Sequence, residues 1–178
     1  MILTGPEIQR QRALGALTIE PFDPALLNPV SYTYRLGPVL RTHRAGTADT
    51  HGELELDEVK IPDDGFVLMP GRVYLGTTME EIGSTDFVAS LIGRSSIGRL
   101  GLFVQYSADL GQLGACHSWT LELKASAPTI VRPGLKIGQV SFSVATSGRM
   151  PYTGRFGRIN EATVAPPWLL APAALAHT

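Results

Sequence analysis

Residues 93–124 read GRSSIGRLGLFVQYSADLGQLGACHSWTLELK. The stretch opens on a turn, Gly93-Arg94-Ser95-Ser96, whose small residues leave backbone and hydroxyl donors accessible. A second arginine, Arg99, follows three residues later. An apolar run over 100–104 leads into a glycine-rich loop, and the stretch closes on WTLELK at 119–124. That closing segment alternates apolar and polar, as a half-buried strand does. Trp119, Leu121 and Leu123 therefore share one face, and Thr120, Glu122 and Lys124 the other. Arginines, serines and one carboxylate on strand-and-turn scaffolding suit a phosphorylated ligand with acid/base chemistry beside it. The same residues also suit a serine-rich turn and a surface strand whose Glu122 and Lys124 face water, the usual fate of charged side chains.

Working outward, residues 87–92 (FVASLI) read as the strand that delivers the turn. Residues 66–76 and 129–142 repeat one logic: strand, Pro-Gly turn, strand. Residues 28–37 (NPVSYTYRLG) read as a core strand, and 17–22 as another. At the N-terminus a short strand over 1–3 precedes TGPE at 4–7, a capping box with proline in the first turn. It predicts a helix to about residue 16, amphipathic through Ile8, Leu14 and Leu17. Residues 39–58 are polar and irregular, 57–65 a loop, and 77–82 (TTMEEI) a short helical turn. The tail over 149–164 is polar and glycine-rich, and 165–178 is rich in proline and alanine. No domain boundary is visible, so residues 1–178 read as one domain. Short strands between Gly/Pro turns predict an all-β fold with a short N-terminal helix, a barrel or jelly-roll-like sandwich.

Composition narrows the functions. A chain of 178 residues can bury a substantial core. A net charge of −1 argues against a broad nucleic-acid footprint. A single cysteine, Cys116, excludes an internal disulfide and suits a reducing, cytoplasmic setting. Neither a secretory leader nor an apolar run of membrane-spanning length is read. His43, His51, His117 and His177 are scattered, and no Cys-x-x-Cys accompanies a His-x-Glu, which closes the zinc-deaminase route. No phosphate-binding P-loop and no Gly-x-Ser-x-Gly elbow is present.

GRSSIGRLGL, followed by a loop and LEL, resembles the signature of dCTP deaminases, members of the dUTPase-like superfamily. NPVSYTYRLG at 28–37 and PGLKIGQVSF at 133–142 resemble two further segments of that family, with Thr33 in place of its usual acidic residue. The resemblance implies a dUTPase-type (β-clip) distorted barrel, a homotrimer with sites between subunits, and dCTP or dUTP as ligand. It implies Mg²⁺ carried on the triphosphate and no zinc. Deamination without a transition metal needs a carboxylate to take a proton from water and pass it on. By resemblance Glu122 is that general base, Arg99 its cationic neighbour, and Ser95 and the backbone carbonyl of Ala108 the anchors of the water. Arg94 and Ser96 fall on the phosphate-binding turn, where a guanidinium fork fits phosphate oxygens. Tyr152 and Arg155 fall on tail residues that close over the triphosphate.

Departures sit around this set. Gln112 stands where an aspartate near the deoxyribose is usual, Ala115 where a bulky residue is common, and His117 where glycine is common. Gln105 replaces a frequent histidine, Phe156 a tail tyrosine, and no tail glutamine is evident at Ile159. The expectation is deamination of dCTP to dUTP and ammonia. The alternatives are a dUTPase or bifunctional deaminase–diphosphatase, against which the loss of the aspartate counts, and a nucleotide-binding homologue without turnover.

Overall fold

The structure, a computed structural model, describes residues 1–44, 55–104 and 108–163, with Arg155 described in its backbone only. Helix α1 (Gly5–Ala13) is followed by strands β1 (Leu17–Glu20), β2 (Leu27–Asn28), β3 (Ser31–Arg35), β4 (Val39–His43), β5 (Leu56–Lys60) and β6 (Phe66–Leu68). Then come β7 (Val73–Ser84), β8 (Phe87–Gly93), the single-turn helix α2 (Ser95–Gly98), β9 (Leu102–Phe103), β10 (Cys116–Ala125), β11 (Thr129–Val131) and β12 (Lys136–Val144). Short 3₁₀ turns lie at Pro24–Leu26 and Arg155–Arg158. The fold is mainly β with one short N-terminal helix, as the turn-rich sequence predicts.

Among the described residues, three antiparallel sheets result. One has the order β5-β4-β7-β10-β9, with β1 also on β7; the second is β2-β3-β12-β8; the third pairs β11 with β6. The two Pro-Gly segments that echo each other in sequence thus pair with each other, Val67 opposite Ile130. Gly71 and Gly134 take the left-handed backbone their turns require, with φ of 80° and 75°. Between the sheets pack fully buried Tyr32, Tyr34, Leu36, Leu40, Ile82, Leu91 and Phe142. Tyr34 crosses β12 so closely that a Cβ on Gly138 would lie 2.0 Å from its ring, and its hydroxyl donates to the Ile92 carbonyl at 3.1 Å.

Several expectations need correction. Residues 77–82 are not helical; they continue β7, paired to β10 at Thr77 and to both β1 and β10 at Glu81 and Ile82, with a bulge between. Residues 39–58 are not irregular where described: β4 and β5 form an antiparallel pair, Arg41 opposite Glu58, at the polar edge of the larger sheet. The 57–65 loop is shortened accordingly to the turn after β5. The capping box does not form, since Thr4 makes no side-chain cap and Glu7 instead accepts from Arg10 and Gln11. Helix α1 ends at Ala13, and Leu14 is exposed at 66% rather than part of an apolar face.

Strand β7 carries a bulge. Ser118 faces Glu81 and Thr120 faces Thr77, so Thr78, Met79 and Glu80 together oppose the single Trp119. The Thr78 hydroxyl stitches this irregularity, accepting from the Trp119 amide at 2.8 Å and donating to the Glu80 carbonyl at 2.7 Å. The bulge aims Glu80 inward. Its fully buried carboxylate accepts from the Arg35 guanidinium at 2.6 Å and the Arg35 amide at 2.9 Å. That contact joins β7 in the larger sheet to β3 in the second. Removing one partner of a buried ion pair strands the other charge. Arg35→Ala is therefore expected to lower unfolding stability by about 3–5 kcal/mol, and Glu80→Gln, which keeps a hydrogen-bonding oxygen, by less. Urea unfolding of the two variants checks this; a loss below about 1 kcal/mol in Arg35→Ala would contradict it.

Candidate functional site

The Gly93 turn is held between two strands. β8 ends at Gly93, paired with Gly138 of β12, and the Arg94 amide and guanidinium donate to the carbonyls of Ile137 and Lys136. Ser95 opens α2 and is exposed with Ser96, while Ile97 pins the turn to the core. The Arg99 amide donates to the Ser95 carbonyl at 3.0 Å, which ties the second arginine to the first serine through the backbone. The chain then enters β9, which pairs with the end of β10, Phe103 opposite Lys124.

Residues 108–111 run antiparallel along the edge of β8. The Leu91 amide donates to the Asp109 carbonyl at 2.8 Å, and the Gly111 amide to the Ala89 carbonyl at 2.7 Å. Ser90 bridges to Leu110. Continuing this register places Ala108 alongside Ile92, at the base of the Gly93 turn. Arg94, Ser95, Ser96, Arg99 and Ala108 are thus gathered at one end of β8. Gln105, two residues beyond β9, lies outside the described residues.

Glu122 lies midway along β10. The expected alternation holds: Leu121 and Leu123 are fully buried, and Thr120, Glu122 and Lys124 are half-buried on the opposite face. Directly paired residues of antiparallel strands project from the same face. Arg41, Leu75 and Glu122 form one such rung across β4, β7 and β10, and Thr77 with Thr120 the next. Trp119 packs its ring toward Gly111, where a Cβ would lie 2.8 Å from it, and donates to the Ile82 carbonyl at 2.8 Å.

The expected tail residues lie elsewhere. The Tyr152 amide donates to the Leu113 carbonyl at 2.7 Å, next to the Gly114 amide that donates to Ser84. Arg149 pairs with Asp86 just before β8 begins. Tyr152 and exposed Gln112 therefore sit at the start of β8, whereas Arg94–Ser96 sit at its end. Six residue steps separate Phe87 from Gly93, roughly 20 Å at about 3.3 Å each. One chain brings the turn and the Ala108 segment together, but it does not bring Tyr152 to them. Arg155 is placed in the 3₁₀ turn Arg155–Arg158 beyond Tyr152. His51, His177 and residues 165–178 lie outside the described residues.

The tail continues over the Glu122 face. Asn160 accepts from the Ser118 amide and donates to Glu81, and the Thr163 amide donates to the Thr120 hydroxyl at 3.3 Å. The Arg41 guanidinium donates to the Ala162 carbonyl at 2.6 Å and to the carboxylates of Glu58 and Glu161. Sequence reading missed these residues because each is an ordinary polar side chain until register aligns it. No cluster able to hold a metal ion is found among the described residues, nor a helix long and apolar enough to cross a membrane.

His117, in β10, is 8% exposed and packs on Trp119 with ring centroids 4.3 Å apart. Burial pushes its pKa below the usual imidazole value of 6.5, opposed by the carbonyls of Ser118 and Ile159 and by the Glu81 charge. Between its folded value and 6.5 the unfolded chain binds the proton first, so stability falls as pH falls through that window. From about pH 7.5 to about pH 5.5 the wild type is expected to lose more stability than His117→Gln. Equal losses in thermal unfolding of the two would overturn the assignment.

The family model described as dCTP deaminase-like matches residues 2–145. The chain is similar to the "dCTP deaminase, dUMP-forming" of Leptospira biflexa serovar Patoc, 42% identical over 143 residues, covering 80% of this chain and 81% of that one. It is also similar to the protein of the same name from Hathewaya histolytica, 36% identical over 170 residues, covering 96% and 97% of the two chains. Among solved structures it is similar to 2'-deoxycytidine 5'-triphosphate deaminase from Agrobacterium tumefaciens, with a TM-score of 0.66 and 27% identity over 81% of this chain. This chain spans 48% of that longer one. The chain belongs to the dCTP deaminase-like family and is an enzyme of that type.

Proposed function

We propose that this protein deaminates dCTP hydrolytically, with Glu122 as general base and then acid. The observation that carries the reading is the placement of Glu122: half-buried, centrally on the rigid β10, on the face away from the core. A carboxylate there takes a proton from water as the water attacks C4 of cytosine, and passes protons to N3 and the leaving amine. Atoms balance as dCTP plus water giving the uracil nucleotide and ammonia. Ser95 and the Ala108 carbonyl orient the water, and Arg99 supplies the cation beside the carboxylate. Arg94 and Ser96 receive phosphate oxygens on the open first turn of α2. The triphosphate brings Mg²⁺ with it, and the protein supplies no metal ligands in this reading.

Two products are open to the same site. dUTP is what deamination alone leaves. dUMP, formed by further loss of pyrophosphate, is favoured by the names of the two curated relatives above, which are dUMP-forming. Gln112, a neutral amide, offers no carboxylate to activate the water for that second hydrolysis. Incubation with dCTP and Mg²⁺, followed by assay of ammonia, dUTP, dUMP and pyrophosphate, separates the cases: ammonia without pyrophosphate means dUTP, both together mean dUMP, and neither overturns the reading. Glu122→Gln is expected to lower turnover by on the order of 10²–10⁴ with nucleotide affinity kept within about tenfold. Near-normal turnover in that variant would remove Glu122 from the mechanism.

The site is completed between subunits of a homotrimer. Support comes from the roughly 20 Å that separates the Arg94–Ser96 turn from Tyr152 along β8 in one chain. A neighbouring copy can present the missing half. Light scattering of the active protein is expected to give three times the mass of one chain, and an active monomer would sink this.

A further inference from the structure

We infer that Arg41 is a positioning residue that buckles residues 160–163 onto the sheet as a strap, fixing one wall of the space beside Glu122. That the wall faces a nucleotide rests on the function proposed above; the attachment of the strap does not.

The strap crosses three strands on one face. Asn160 holds it at the Ser118–Glu81 rung, Thr163 at Thr120, and Arg41 at the far side. The bulge in β7 inserts two residues, an even number, so the faces agree on either side of it. Glu81, Ser118, Thr77, Thr120, Arg41 and Glu122 consequently share one face. Thr163 ends the described chain at Thr120, two residues from Glu122, about 7 Å along the strand. Arg41 lies in the Glu122 rung itself, two strands away, on the order of 10 Å at about 4.8 Å per strand.

The contacts of Arg41 are unequal. Glu161 is 71% exposed, so its ion pair is largely screened. The bond to the Ala162 carbonyl is charge-assisted and part-buried, and Ala162 itself is only 4% exposed. Close packing does not hold the strap instead: a groove of about 330 Å³ remains beneath it, lined by Pro38, Val39 and Thr77 on the sheet side. A few polar contacts set its position, and the Arg41 bond to Ala162 at 2.6 Å is the one that anchors its far side. Glu58, across the β4–β5 pair, fixes the guanidinium so that it points at the strap.

The test compares the full-length wild type with Arg41→Gln, Arg41→Lys and Glu161→Gln. Amide hydrogen exchange without nucleotide reads the strap directly. Exchange at the Ser118 and Thr163 amides is expected to speed up by about tenfold or more in Arg41→Gln, by less in Arg41→Lys, and by under about twofold in Glu161→Gln. dCTP affinity by calorimetry reads the wall, and a several-fold loss is expected in Arg41→Gln. In turnover, KM should rise while kcat and its pH profile stay within about twofold. Unchanged exchange in Arg41→Gln overturns the buckle. Faster exchange with unchanged dCTP affinity overturns the wall. A wild type that binds dCTP without turning it over would refute the proposed reaction and leave the strap to be judged by exchange and affinity.

Discussion

The fold depends on a buried ion pair. Glu80 is fully buried, and its two carboxylate oxygens are taken by the amide and guanidinium of Arg35. The hydrogen bond to Glu80, with the carboxylate's charge behind it, holds Arg35 above even the ordinary guanidinium range, against the opposing cost of burial. An ion removed from water is costly unless its hydrogen bonds are replaced, which is why both oxygens find donors. The pair forms only because β7 bulges opposite Trp119, and the bulge is stable because Thr78 supplies the bonds that the ladder loses there. Local irregularity and inter-sheet contact are therefore one feature. The two-residue insertion also keeps Thr77 and Glu81 on the side of Glu122.

The second constraint is distance. β8 separates the Ser95 turn at its end from the Tyr152 and Gln112 region at its start. Strands are stiff at this length, so no loop adjustment within one chain closes the gap. The trimer proposed above would answer that problem, with a neighbouring copy presenting the missing half. It also gives a purpose to apolar side chains left exposed near the turn, among them Ile92, Leu100 and Leu110.

What the sequence revealed follows from which signals are local. The alternation at 119–124 was legible because burial of one face leaves a period of two. Both Pro-Gly turns were legible for similarly local reasons, whereas the single strand read over 28–37 is in fact the end of β2, a turn at 29–30 and the buried strand β3. β4 and β5 were not, because an edge pair carrying Arg41, Glu58 and Lys60 has no apolar period to read. Residues 77–82 misled through Glu80 and Glu81, good helix formers on propensity; strand pairing at Thr77, Glu81 and Ile82 outweighs a few tenths of a kcal/mol per residue. Of the residues named by motif, Ser95, Arg99 and Ala108 lie together at one end of β8. Arg41 and Asn160 were not found, since nothing local marks a side chain whose partner lies about 120 or 40 residues away.

The departures from the family pattern can be understood together. Ala115 is buried, and its Cα lies 3.7 Å from where a Cβ on Gly157 would stand, so the loop and the tail meet through small residues. Gly157 in turn lies against the Tyr152 ring, and the Tyr152 amide is bonded to the same loop at Leu113. His117 reaches the tail at the Ile159 carbonyl. A bulky side chain at 115 would displace Gly157, and glycine at 117 would remove a contact to Ile159. Ala115, His117 and Ile159 are thus one adjustment of how a loop grips its own tail. Glu122 is on β10 beyond Thr120, outside that contact. The altered positions bear on how firmly the tail is held, rather than on where β10 places Glu122.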